Sequence, residues 1–324
     1  MKYIWGLILS MNLLIANDVM AKDALASIYK NVILQHSQEA VSTAQNLKTS
    51  ILKSDINASK ARFGALITAW KKVEGFYILG DLNDDYLDSP RYIDIFHQGK
   101  EDIRVQLDLV LSSKEEVQYA LYKNSHKTIN ALEYILFAQD LKTPRVQSIA
   151  LAIIHKILVN IQEIHRGYLA EQKTFMADEV TSNAMMLNAL IENSYKMKEW
   201  RVGDPAGLSR KFKGDADNSR GEYSLSANSM VAIQAILTTH QAVLSSQVYS
   251  NFGTMIEGYG VKEELASAQK YLALALQNSQ NVKDEDFSTA KPLYSSLKKL
   301  HTTYYITLIG KLKITAKILD ADGD

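Results

Sequence analysis

Apolar residues recur at three- and four-residue steps along almost the whole of this 324-residue chain, and only 4 prolines interrupt the pattern. That spacing builds helices with one buried face and leaves no segment with the strict alternation of a strand. Helices are expected over 23–50, 58–79, 92–112, 114–138, 144–172, 178–200, 224–249, 261–279 and 286–319. In the second of these, Phe63, Leu66, Trp70, Val73 and Tyr77 mark the buried stripe. Polar turns such as 80–90 join the helices, and 203–223, rich in glycine, aspartate and serine, is the longest irregular stretch. The expected fold class is therefore all-α, with two packed antiparallel helical bundles over 22–141 and 142–324.

Charge and composition close several functional classes. Lysine plus arginine and aspartate plus glutamate both number 36. A neutral chain lacks the positive excess that nucleic-acid or polybasic membrane binding requires. The absence of cysteine removes disulfides, thiol catalysis, cysteine-type zinc sites and lipoprotein attachment. At the N-terminus Lys2 precedes an apolar run, Tyr3 to Ala16, and then a polar stretch ending Val19-Met20-Ala21. This is the pattern of an export signal cleaved after Ala21, which places the mature chain in the periplasm or outside the cell. No later run is long enough to span a bilayer, so no integral membrane segment is expected after cleavage.

The most informative segment is His126-Lys-Thr128-Ile-Asn130-Ala-Leu-Glu133-Tyr134. On one continuous helix, His126, Asn130 and Glu133 would fall within an arc of roughly 60°, beside the apolar Ile129, Leu132 and Leu136. Such a polar stripe at the border of a buried face can open onto a ligand groove. It can equally be a helix edge of ordinary hydrogen-bonded side chains.

Thr128 to Phe137 resembles the signature of the imelysin-like proteins, classified as M75 peptidases, which reads Gly-x-His-x-x-Glu before an aromatic and apolar run. Trp70-Lys-Lys-Val-Glu74, Arg91-Tyr-Ile-Asp94 and Glu222-Tyr-Ser224-Leu-Ser226-Ala-Asn-Ser229 resemble further family segments in the same order, and the chain ends Asp322-Gly-Asp324 as members do. The resemblance implies a helical protein linked to iron uptake. It would bring Glu74, Asp94 and Glu133 together to hold iron or another divalent cation, and its partner would be an iron-transport system. Here Thr128 replaces the signature glycine and Asn130 the histidine. An amide oxygen suits harder cations than an imidazole does. His126, one turn earlier, is the candidate replacement ligand. With the histidine gone, the chain has fewer ligands than a zinc peptidase needs. A non-catalytic protein binding a metal ion or small ligand in an interdomain groove is the favoured reading. A metallopeptidase, or a helical module without its metal site, is the alternative.

Other patterns carry less. His36 and Glu39 have ligand spacing but suit a solvated helix face. The 81–85 stretch lacks the glycine and glutamate of a calcium loop. Met176, Met185 and Met186 suit core packing. His155 and His165 have no partner at ligand spacing.

Overall fold

The computed structural model describes residues 20–98 and 101–317. Most of the expected export signal (1–19) and the Asp322-Gly-Asp324 ending lie outside them. Several of the helices open on a residue that satisfies their first backbone N–H groups. The Asp55 carboxylate accepts from Ala58 N at 2.9 Å ahead of α2 (Ile56–Glu74). Thr128 caps α4 (Ile129–Ala138), and Pro144 opens α5 (Pro144–Ala177) with its φ already helical. Before these, α1 runs through 20–52 with a wide π turn at Tyr29–Leu34, and α3 is Ile103–Ser112.

In the second half, α6 (Glu179–Lys196) continues through a π turn at Met197–Gly203. It is followed by α7 (Ser229–Leu244), α8 (Phe252–Gly258), α9 (Lys262–Gln280) and α10 (Lys291–Thr302). The start of α7 is capped from a distance: the Glu285 carboxylate accepts from Ser229 N at 3.0 Å and Met230 N at 2.9 Å. No strand occurs among the described residues, and none of their helices is long and apolar enough to cross a membrane.

One group of helices consists of α1, α2, α4 and α5, and a second of α6, α7, α9 and α10. The long α5 begins just past the boundary expected at 141/142, yet packs on α1 and α4. The two groups meet where α2 packs against α7. α2 is thus a shared wall, with Phe63, Leu66, Ile67, Trp70 and Val73 buried.

Several expected helices are shorter than their periodicity suggested, and the third and fourth depart most from it. Tyr92 closes a short 3-10 turn (Ser89–Tyr92), residues 93–98 are turns rather than the start of a helix, and α3 begins only at Ile103. The helix expected over 114–138 is broken. A short turn at Val117–Ala120 and another at Ser125–Lys127 precede an extended Thr128 (φ −114°, ψ 170°). Asn, Ser and Thr side chains there compete with helical hydrogen bonds, Thr128 Oγ1 bonding back to the Ser125 carbonyl at 2.9 Å. His126 is consequently not on the helix that carries Asn130 and Glu133.

Close approach of backbones fixes one corner of the second group. A Cβ at Gly253 would press on the Leu244 carbonyl oxygen well inside van der Waals contact. Gly253→Ala is expected to lower stability by about 1–3 kcal/mol in urea denaturation; an unchanged midpoint would show that the α7–α8 corner has room to spare.

Candidate functional site: a buried ammonium among three carboxylates

The last turn of α2 carries Lys71 and Glu74 on one face. Lys71 shares the buried stripe with Ile67, and its side chain is 0 % exposed. A lysine stranded in this way must find counter-charges or lose its own. It finds three. Nζ donates to Asp94 Oδ2 at 2.8 Å, to Glu222 Oε1 at 2.6 Å and to Glu74 Oε2. The Tyr223 ring lies 5.3 Å from the ammonium, and its hydroxyl donates to Asp94 Oδ2.

Each acid is supplied by a differently built segment. Asp94 sits in the 90–96 turn, where its N–H donates to the Pro90 carbonyl and its Oδ1 accepts from Phe96 N at 2.9 Å. It therefore caps a turn and not the following helix. Glu222 and Tyr223 belong to the irregular stretch, Tyr223 in the left-handed region at φ 57°. Arg201, on the π turn after α6, completes the cluster: Nε donates to Glu222 Oε2 at 2.7 Å and Nη2 to Glu74 Oε1 at 2.9 Å.

Burial works against the Lys71 charge, but Asp94, Glu222 and Glu74 outweigh it and hold the ammonium above the ordinary lysine range. Burial would likewise raise Glu74, yet Arg201 and Lys71 pull it down to about 2. Burial and the neighbouring anion push the Tyr223 hydroxyl well up, so it stays a donor. Burial raises the Glu222 carboxyl, against the pull of Arg201 and Lys71.

Carboxylate oxygens of Glu74, Asp94 and Glu222 lie within 4.8 Å of one another, a spacing that a divalent cation can bridge. Among the described residues no other group of His, Asp or Glu side chains has this form. The position between them is already taken by Lys71 Nζ, at hydrogen-bond distance from all three acids. Arg201 satisfies two of those acids again. As the side chains stand, this donor set does not fit a bare metal ion.

The signature residues do different work. Glu133, 7 % exposed, is not joined to the other acids by any bond. Its Oε1 accepts from Ser226 N at 2.9 Å and Ser226 Oγ at 2.7 Å, pinning the loop that carries Glu222 and Tyr223. Asn130 Oδ1 accepts from Ile95 N at 2.8 Å, and Ile129 N donates to the Ile93 carbonyl at 2.8 Å, pinning the turn that carries Asp94. His126 is buried against Tyr122, with ring centroids 5.4 Å apart. Burial lowers its pKa, and the charges that reach it are Lys123, Lys127 and Glu101 rather than those of the cluster. Of the five candidate residues, Glu74 and Asp94 are brought together, Asn130 and Glu133 hold the loops around them, and His126 stands elsewhere.

Outside the cluster, His36 is not on a solvated face. Burial beside Lys72 pushes its pKa down to about 4, while Glu39 pairs with Lys72 at 3.0 Å. Met186 is fully buried in the core.

A cleft of about 450 Å³ opens onto Glu74, Asp94 and Arg201. Tyr77, Phe96, Tyr195 and Trp200 line it. Trp200 is held flat by His97, stacked at 4.8 Å and 3°, whose Nε2 lies 3.2 Å from Asp204 Oδ2. The rim cations Arg91, Lys196 and Lys317 each pair with an acid, Asp88, Glu192 and Asp81. A second hollow of about 200 Å³ lies against Asn130, Glu133 and Arg104.

Lys71, Arg201, Glu222 and Tyr223 were not among the candidate residues from sequence. Lys71 did leave a signal: a lysine four residues after Ile67 and three before Glu74 falls on the buried arc, where a charge requires partners. Glu222 and Tyr223 lay in a segment already matched by resemblance but given no role there, and Arg201 left no signal, because only tertiary folding brings it to α2.

A family model described as Imelysin (Peptidase_M75) matches residues 26–295. An imelysin-like protein from Psychrobacter arcticum 273-4 has a similar fold, with TM-score 0.76 and 16% identity, covering 93% of this chain and 98% of that one. A "putative iron-regulated protein A precursor" from Parabacteroides distasonis ATCC 8503 is similar at TM-score 0.66 and 11% identity, covering 91% and 95%. No curated protein matches the sequence.

Burial raises the Glu133 carboxyl to about 6 against the Ser226 hydrogen bonds. An acid whose folded pKa exceeds its unfolded value binds more protons in the native state, so its contribution weakens as pH rises from the unfolded value to about 6. Glu133→Gln keeps the accepting oxygen and removes the titration. Urea denaturation should show the variant gaining on wild type by up to about 2 kcal/mol between pH 4.5 and 7. Parallel pH profiles would mean that the carboxyl is not buried in this way.

Proposed function

We propose a binding function for this chain, which belongs to the imelysin family: it is a non-catalytic protein that works outside the cytoplasm in iron-related uptake and holds a small polar ligand in the cleft above Arg201. The observation that carries this reading is the cleft itself, a cavity of about 450 Å³ with four aromatic side chains on its walls and a charge-paired floor. Cavities of this size take one small organic molecule, aromatic walls supply contact area, and charged groups at the floor fix orientation.

The iron connection is drawn from the family and from the iron-regulated relative. With Lys71 among the carboxylates, the chemistry favours iron presented inside an organic chelate over a bare ion. Export rests on the N-terminal segment read from sequence. Peptidase chemistry needs a metal with an open position and a nearby base. The three acids best spaced for such a metal are engaged by Lys71 and Arg201.

Trp200 offers a direct test. The chain has 3 tryptophans; Trp5 belongs to the expected signal segment and Trp70 is fully buried, so Trp200 is the fluorophore exposed to a cleft ligand. Ferric citrate titrated into the mature chain should change its fluorescence saturably. By calorimetry, Trp200→Ala should weaken binding about tenfold, the loss of about 1.4 kcal/mol of aromatic contact. Saturable binding that survives Trp200→Ala unchanged would move the ligand elsewhere. No saturable response to ferric citrate or citrate would sink the chelate reading.

A further inference from the structure

We infer that Lys71 is a built-in cation: its ammonium fills the place a divalent ion would occupy among Glu74, Asp94 and Glu222, which makes the cluster independent of metal in the wild-type protein and convertible to a metal site by removal of one side chain. The argument does not depend on which ligand enters the cleft.

The first ground is occupancy. Lys71 Nζ reaches all three carboxylates at once and is fully buried, with the Tyr223 ring over it. No water-filled gap is needed to satisfy its three donors. The second ground is charge. Three carboxylates and two cations leave the cluster at −1, and the Tyr223 hydroxyl donates to Asp94. Without the ammonium the same cluster holds three carboxylates against Arg201 alone, an excess of −2 away from water. That is the charge a divalent cation cancels, and hard carboxylate oxygens within 4.8 Å of one another are its natural donors. The third ground is connection. Lys71 reaches 23 residues along the chain to Asp94 and 151 to Glu222. It therefore ties α2 to both loops, the work that a structural metal performs in other proteins.

The experiment compares the full mature wild type, Glu222→Gln, Lys71→Ala, Lys71→Arg and the Lys71→Ala/Glu222→Gln pair, each stripped of metal, by thermal denaturation, calorimetry and Co²⁺ absorption. Wild type and Lys71→Arg should show no saturable Co²⁺ or Mn²⁺ binding that Glu222→Gln removes. Lys71→Ala should melt lower than wild type, then recover several degrees with Co²⁺ and bind one ion per chain. The double variant should lose that response. If Lys71→Ala folds only on refolding with Co²⁺ and not with EDTA, the inference is supported by that route. It is overturned if wild type binds one ion that Glu222→Gln abolishes, if folded Lys71→Ala ignores both metals, or if Lys71→Ala fails to refold in either condition.

Discussion

A single fully buried ammonium organises the centre of this molecule. Taking Lys71 out of water carries a large solvation penalty, and only the three surrounding carboxylates offset it. The reverse also holds: those acids could not stay ionised side by side in the protein interior without Lys71 and Arg201 between them. Each charge is tolerable only because the others are present. Removal of one partner is therefore far more damaging than its pairwise interactions suggest.

The acids come from segments with no fixed geometry of their own, a short turn at 90–96 and an irregular loop at 221–228. Both are fastened by α4. Asn130 takes the Ile95 N–H and Glu133 takes Ser226, so one helix face sets the position of two loops. An amide serves this purpose as well as any metal ligand would. Asn130 thus belongs to a face that positions backbone.

Much of the scaffold was legible in the chain. Periodicity identified most of the helices and the stripe on α2, and proline marked the start of α5. Periodicity failed where local side-chain hydrogen bonds beat it, as around Thr128, and that failure removed His126 from the face assigned to it. The candidate site was half legible. Glu74 and Asp94 could be placed together through resemblance, but resemblance alone could not reveal that their counter-ion is a neighbouring lysine. Charge cancellation across 151 residues of separation is a tertiary fact, and no window along the sequence contains it.

The wide turn at Met197–Gly203 gives the cluster an unusual sensitivity to chain length. A π turn is an α-helix with one residue to spare. Excision of one residue there would let the helix close into regular α geometry without turning the chain beyond it, because the residue removed is the spare one. The loss would be felt inside the turn, where Trp200 and Arg201 both line the cleft and take their directions from the wider winding. A one-residue deletion in this stretch therefore re-aims two side chains while leaving the scaffold on either side in register.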